Sequence, residues 1–320
     1  MSFRLTILGC HSATPRSLAH TSSQYLEMNN HCFLIDCGEG TQRQLRKYKI
    51  KFSRIKHVFI SHLHGDHFFG LIGLISTFSL LNRNGELHIY GPKGLKEIIL
   101  LQLKLSKSWV EYPLHFHELK KTESELILDN DKVEVYTIPL KHRIYTNGYL
   151  FREKIQERKL NMSQIQKFPE IDICDYQNLK DGKDFIKENG EIIKNHILTY
   201  NPLKQLSYAF CSDTAYKPSI TSLFENVNLL YHESTFLTDK VDLAKNTKHA
   251  TAQEAGKIAK KANADKLILG HYSSRYNNLD LFKEEAETVF NDVILAKEGK
   301  IIKIDNKVPD VFIIANQDQY

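Results

Sequence analysis

The chain has 320 residues, 42% hydrophobic and 25% charged, with 43 Lys and Arg against 38 Asp and Glu for a formal net charge of +5. This composition excludes a disordered or fibrous chain, and the length is ample for one large globular domain. The mild basic excess permits an anionic substrate without demanding one, and no apolar run is long enough for a membrane span or a signal segment, so a cytoplasmic location is expected. The five cysteines (Cys10, Cys32, Cys37, Cys174, Cys211) are scattered and form no C-x-x-C pair, which predicts reduced thiols.

In chain order, the segment up to Gly9 reads as a strand, and Cys10 to Ser23 as a polar loop. Phe33 to Asp36 reads as a buried strand. Cys37-Gly38-Glu39-Gly40 then turns into a helix near Gln42 to Lys49, with Gly38 expected to need φ > 0. Val58-Phe59-Ile60 ends another buried strand, and Phe68 to Leu81 reads as an apolar helix. Between them His62, His64, Asp66 and His67 crowd a turn that Gly65 tightens. A strand end meeting a helix start projects such side chains into one hollow. His62 and His64 are spaced to serve one metal, Asp66 and His67 the next position along, which suits two adjacent cations.

Leu87 to Tyr90 predicts a strand, Gly91-Pro92 a turn, and Lys93 to Leu105 a helix. His115 and His117 sit two apart on a further strand and read as structural. Val133 to Ile138 predicts a strand near a sheet edge, delivering His142 between Lys141 and Arg143. Residues 149–200 change character: Arg152, Lys154, Arg158, Lys159 and Lys167 face few acids, and periodicity is poor. Such a stretch is a solvated excursion or an extended basic arm able to hold a phosphate backbone. Tyr176 to Ile193, with Asp181-Gly182 and Asn189-Gly190, predicts loops or a small hairpin. The organisation expected is a single domain over 1–320 with this insertion.

Leu206 to Cys211 reads as a strand ending at Asp213, whose two oxygens can each reach one cation, or which caps a following helix. Val227 to Tyr231 is the next strand and presents His232-Glu233-Ser234-Thr235. Thr251-x-x-Glu254 is a capping box for a helix over Ala252 to Ala262. Its free N–H groups predict an anion seat beside His249, with Thr251 in reach of substrate. Lys266 to Gly270 is a last core strand and presents His271, Ser273 and Arg275. A final helix, short strands (Val293 to Leu295, Ile301 to Ile304) and a loose tail complete the chain.

His62-x-His64-x-Asp66-His67 resembles the signature of the metallo-β-lactamase superfamily. The resemblance implies an α/β, four-layer αββα sandwich with a dinuclear site at one edge and an inserted arm. It adds His142 as a ligand and puts Asp36 behind the metal loop, with His232 also in the supporting shell. The ligand sets are then His62, His64, His142 and Asp213 for one cation, and Asp66, His67, Asp213 and His271 for the other. Two Zn2+ fit this nitrogen-and-carboxylate set, with Mn2+ an alternative. Asp66 is positioned to orient and deprotonate a water, and His249, tuned by Glu233, to protonate the leaving group.

The order of these motifs, with Ser212-Asp213-Thr214, His232 to Thr235, His249-Ala250-Thr251 and Gly270 to Tyr276, is similar to that of the ribonuclease Z family from Leu5 to about Val293. The resemblance implies a homodimeric endonuclease that removes the 3′ trailer of precursor tRNA and leaves a 3′ hydroxyl. It makes Glu233 and His249 a catalytic pair, and the arm a grip for the tRNA elbow, with Arg152, Lys154, Arg158 and Lys159 as phosphate contacts. The arm differs from the bacterial pattern in lacking a Gly-Pro turn near Ile173-Cys174-Asp175-Tyr176. Two other readings stand beside this one: a hydrolase of small phosphodiesters, sulfate esters or lactones on the same fold, and a catalytically silent RNA-binding protein, for which a full set of ligand residues is unexpected.

Overall fold

The central strands of this chain are apolar on both faces, and each face goes to a different core. Successive side chains of a strand point to opposite sides. Phe33, Ile35 and Phe59 join a core with Tyr149, Phe151, Tyr208 and Phe210, whereas Leu34, Val58 and Ile60 pack with Leu71, Leu74, Ile75 and Phe78. A sheet buried on both faces needs a layer on each side. The computed structural model, which describes residues 2–14, 16, 19–305 and 311–314, has that αββα arrangement.

The first sheet begins with β1 (Ser2–Gly9), β2 (Ser23–Met28), β3 (His31–Ile35), β4 (His57–Phe59), β5 (Leu87–Pro92) and β6 (Leu114–Leu119). Helices α1 (Thr41–Lys47), α2 (Gly65–Phe68), α3 (Gly70–Leu80) and α4 (Leu95–Leu105) are interleaved with it. Helix α3 buries Leu71, Leu74, Ile75 and Phe78, the i, i+3, i+4, i+7 stripe of a helix lying on a sheet. The second sheet opens with β7 (Leu126–Asp129), β8 (Val133–Pro139) and β9 (Asn147–Glu153).

Residues Glu153–Gln205 form a separate compact unit. It contains β10 (Lys159–Leu160) paired with β13 (Thr199–Tyr200), the hairpin of β11 (Phe185–Ile186) and β12 (Ile192–Ile193), and the short helices α5 (Met162–Ile165), α6 (Tyr176–Lys180) and α7 (Asn195–Leu198). Two expectations change here. The insertion starts at 153 rather than 149, because Tyr149, Leu150 and Phe151 are buried in β9. It is also no solvated excursion: Ile165, Ile171, Leu179, Ile193 and Leu198 make a small core of their own.

The second sheet resumes with β14 (Ser207–Cys211), β15 (Leu229–Glu233), β16 (Lys266–Gly270) and β17 (Val293–Leu295), accompanied by α8 (Val241–Thr247), α9 (Ala252–Lys261) and α10 (Asp280–Glu287). Strands β18 (Ile301–Asp305) and β19 (Val311–Ile314) return to the first sheet, whose order is β19-β18-β1-β2-β3-β4-β5-β6. The second runs β17-β16-β15-β14-β9-β8-β7. Strands β3, β4 and β5 are parallel neighbours, as are β14, β15 and β16. Loops at the carboxyl ends of parallel strands are where such sheets bind ligands, and here they carry Asp36, His62, Asp213 and His271. No helix among the described residues is long and apolar enough to cross a membrane. The tail expected to be loose, residues 315–320, lies outside the described residues, as do residues 15, 17 and 18 of the first loop.

Gly38 serves a different purpose from the one expected. Positive φ falls on Asp36 (55°) and Gly40 (82°) instead. A Cβ on Gly38 would lie 2.2 Å from Thr21 Oγ1 and 2.5 Å from the Asp66 carbonyl oxygen, so glycine is needed there for close approach.

Candidate metal centre and active site

Asp36 (φ 55°), Asp213 (55°) and His271 (62°) all adopt the left-handed backbone region just beyond their strands. For a non-glycine residue this costs about 1–3 kcal/mol and persists only where the surroundings over-determine it. The turns set Asp213 and His271 among the histidines of the α2 turn. His62 Nε2, His64 Nδ1, His142 Nε2 and Asp213 Oδ2 converge, with separations of 3.0 Å (His62–His64), 3.2 Å (His64–His142), 3.5 Å (His62–Asp213) and 3.7 Å (His142–Asp213). Beside them, His67 Nε2 lies 3.5 Å from Asp66 Oδ2 and 3.2 Å from Asp213 Oδ1. His271 Nε2 lies 3.4 and 3.1 Å from the same two oxygens. Asp213 thus turns one oxygen to each cluster.

Donor atoms about 2.0–2.1 Å from one small dication in a tetrahedral array stand about 3.3–3.4 Å apart. Both clusters have that spacing. His64 Nδ1 can share a proton with only one of its two nitrogen neighbours, so hydrogen bonding alone does not explain the convergence. His67 Nε2 and His271 Nε2 are buried without a hydrogen-bond partner, a costly arrangement unless something electrophilic meets their lone pairs. The residues fit a metal centre by spacing, donor type and these two orphaned nitrogens.

The outer partners explain how the rings are aimed. His67 Nδ1 donates to Asp36 Oδ2 at 2.6 Å, and the same oxygen accepts from Ser61 Oγ at 3.1 Å, leaving that hydroxyl to accept from His62 Nδ1 at 3.0 Å. His142 Nδ1 donates to the carbonyl of Lys248 at 3.0 Å, and Lys248 itself has φ 60°. Thr235 Oγ1 donates to Glu233 Oε2 at 2.6 Å and accepts from His271 Nδ1 at 2.9 Å. In all four rings Nδ1 is engaged by an outer partner, which leaves Nε2 as the nitrogen turned to the centre. Asp36 thereby orients His67 and, through Ser61, His62, and Glu233 orients His271 through Thr235. Ser61 and Thr235 were not singled out from sequence. Strand-end hydroxyls are common, and nothing local marks these two.

Glu233 is buried and accepts from the amides of Thr214 (2.7 Å), Ala250 (3.1 Å) and Thr235 (3.2 Å) as well as from His249 Nδ1 at 2.8 Å. Burial raises its pKa, but the facing His249 outweighs that and the net shift is downward. Burial likewise pulls His249 down, and the Glu233 carboxylate reverses it, raising the imidazole to about 9. The His249 ring lies 5.1 Å from that of His142 and 5.5 Å from that of His271, beside the metal clusters. Asp66 is held ionised because the nearby His67 outweighs its burial, and its Oδ2 accepts from the Ala13 amide at 2.8 Å. Burial lowers His67, but the Asp213, Asp66 and Asp36 carboxylates together raise it well above the ordinary value in the ion-free chain.

Several anticipated contacts are spoken for from within the fold. The α9 capping box is present, with Thr251 Oγ1 accepting from Glu254 N at 3.2 Å, but Thr251 is fully buried. The next amides are also taken: Ala252 N donates to the Phe236 carbonyl at 3.0 Å and Gln253 N to Glu285 Oε1 at 2.9 Å. The expected anion seat is therefore filled by the chain's own acceptors, and Thr251 is a capping residue. His232 points away from the ligands, because neighbours on a strand alternate. Its Nδ1 bonds to the Glu233 carbonyl at 2.7 Å. Asp213 caps no helix, since the following 3-10 turn, Pro218–Phe224, starts after Lys217. Ser273 is buried and its hydroxyl accepts from Arg275 Nη1 at 3.3 Å, whereas Arg275 is exposed. Arg152 belongs to β9, with its guanidinium 5.8 Å from the Tyr136 ring centre. The unit of Glu153–Gln205 carries nine Lys and Arg against nine Asp and Glu, so it is not basic as a whole. Arg158 is engaged with Thr199 Oγ1 at 2.7 Å, while Lys159 is exposed.

An αββα sandwich with His and Asp side chains clustered at its strand ends defines a metal-binding hydrolase of the metallo-β-lactamase fold. A metallo-β-lactamase fold protein from Bacillus subtilis superposes with a TM-score of 0.66 at 21% identity, over 94% of this chain and 99% of that one. A family model described as "Anti-Pycsar protein Apyc1" matches residues 3–156. The chain is 43% identical over 304 residues to ribonuclease Z of Bacteroides thetaiotaomicron, covering 95% of this chain and 96% of the relative. It is 45% identical over 309 residues to ribonuclease Z of Cytophaga hutchinsonii, covering 96% and 98%. The crystal structure of the short form of human tRNase Z aligns with a TM-score of 0.68 at 28% identity, over 93% of this chain and 98% of that one. The chain belongs to the ribonuclease Z family.

Proposed function

We propose that this protein is an endoribonuclease that cuts precursor tRNA at its 3′ end, freeing the trailer and leaving a 3′ hydroxyl on the tRNA. The observation that carries this reading is the adjacency of the paired metal clusters and the Glu233–His249 pair, within a chain related over nearly its full length to ribonuclease Z. His62, His64, His142 and Asp213 would hold one Zn2+, and Asp66, His67, His271 and Asp213 the other. Bound there, the ions supply activated water and neutralise charge on the phosphoryl oxygens. Asp66, whose Oδ2 accepts from the Ala13 amide, orients the water and accepts its proton. His249, whose pKa the Glu233 carboxylate raises, gives its proton to the departing O3′ of the tRNA. Glu233 keeps that imidazole charged and aimed through the 2.8 Å bond.

The exposed Lys159 and Arg275 are the cations we assign to the RNA backbone, with Lys154 as a further contact. We further propose a cytoplasmic homodimer. Leu101 and Leu105, four residues apart on α4, and Trp109 just past its end are 52%, 73% and 86% exposed, apolar surface suited to a second copy. Incubating the zinc-loaded chain with end-labelled precursor tRNA and mapping the product tests the main reading. A single cut at the trailer junction with a 3′ hydroxyl is expected. Turnover of bis(p-nitrophenyl) phosphate without any cut in the RNA would overturn it in favour of a small-diester hydrolase.

A further inference from the structure

A second group of histidines gathers at the other, amino-terminal ends of the first sheet's strands. The parallel registers set His57 beside His88 and His88 beside His115, with ring centres 5.2 and 4.8 Å apart. His117, two residues along β6, places Nε2 3.0 Å from His88 Nδ1. A carboxylate reaches His88 and His115 from the start of the neighbouring strand. Glu86, immediately before β5, places Oε2 3.5 Å from His88 Nε2 and 3.5 Å from His115 Nε2.

A distance of 3.5 Å is beyond the usual range of an N–H···O bond, which is about 2.7–3.2 Å. It is close to the roughly 3.3–3.4 Å between donors that share a zinc-sized ion. All three donor atoms lie within 4.8 Å of one another. We propose that Glu86, His88 and His115 form a further metal site, separate from the catalytic centre, for a Zn2+-class dication. Two imidazole nitrogens and one carboxylate oxygen select such an ion over Mg2+ or Ca2+, and a fourth position remains for water. His117 is the outer partner that holds the His88 ring in place. Strand β6 ends the first sheet's order, so the ion would pin this edge strand to β5.

The test compares zinc held per chain, by elemental analysis and calorimetric titration, in the full-length protein and in Glu86→Gln and His115→Gln. Glu86 and His115 are 58% and 47% exposed, so neither change disturbs a packed core. Each variant is expected to hold one ion fewer, or to bind that ion at least about tenfold more weakly. Added zinc is expected to raise the melting temperature of the unmodified protein beyond that of His115→Gln. Precursor tRNA cleavage should be unchanged in both variants, which separates this site from the catalytic one. Equal zinc content and affinity in all three proteins overturns the proposal, and loss of cleavage in either variant overturns its independence.

Discussion

Replacing Asp36 by asparagine changes a few atoms and should disable half of the metal centre. The Asp36 carboxylate is fully buried and accepts from Ser61 N (2.8 Å), Ser22 Oγ (2.9 Å), Ser61 Oγ (3.1 Å) and His67 Nδ1 (2.6 Å). An amide keeps one oxygen, which the Ser61 N–H fixes at the Oδ1 position. The NH2 group then faces His67 Nδ1. Serine hydroxyls can rotate to accept from it, but an imidazole Nδ1–H cannot. The ring must move its proton to Nε2, the nitrogen aimed at Asp66 and Asp213, where it blocks coordination. Losing such an outer partner weakens metal binding about 10–100-fold, equivalent to about 1.4–2.8 kcal/mol. The lost charge-assisted bonds should lower stability by about 1.5–3 kcal/mol. Zinc titration against a chromophoric chelator reads the first effect, and chemical denaturation of the ion-free protein the second. If Asp36→Asn holds its full complement of zinc with unaltered affinity, the tautomer argument is wrong.

Other outcomes follow from the same geometry. Asp213→Ala removes an oxygen from each cluster and should cost the protein both ions of this centre; elemental analysis of Asp213→Ala carrying also His115→Gln, which empties the separate site, that still finds an ion contradicts the shared carboxylate. His249→Ala should slow RNA cleavage far more than hydrolysis of a p-nitrophenyl ester, whose leaving group departs unprotonated, and equal slowing would remove His249 from the acid's role. In the ion-free chain the folded pKa of His249 is raised to about 9 from an ordinary 6.5, so its proton is present at neutral pH and lost as pH rises through about 9; bound dications lower that limb while Glu233 opposes them. Glu233→Gln should move that alkaline limb of the pH–rate profile downward; an unmoved limb assigns it to another group. Thr251→Ala should cost about 1 kcal/mol of stability, as the loss of a helix cap does, with unchanged affinity for precursor tRNA in a filter-binding assay.

Much of this protein was legible in its sequence because the relevant signals are local. The ligands of the α2 turn lie within six residues, the apolar runs flanking them specify strand and helix, and Thr251-x-x-Glu254 marks a helix start. Even Asp213 and His271 were accessible, since each stands directly after a run that reads as a buried strand. What sequence left undecided depends on neighbours distant in the chain. Amide donors at the α9 terminus are predicted free until Phe236 and Glu285 are folded against them. The insertion is predicted loose because the Ile and Leu residues of its small core are spread over more than thirty positions. His115 is far from Glu86 in sequence but meets it across paired strands. Local pattern fixes which residues leave a strand end, whereas their acceptors and ring tautomers are set by side chains that only the closed sandwich brings within 3 Å.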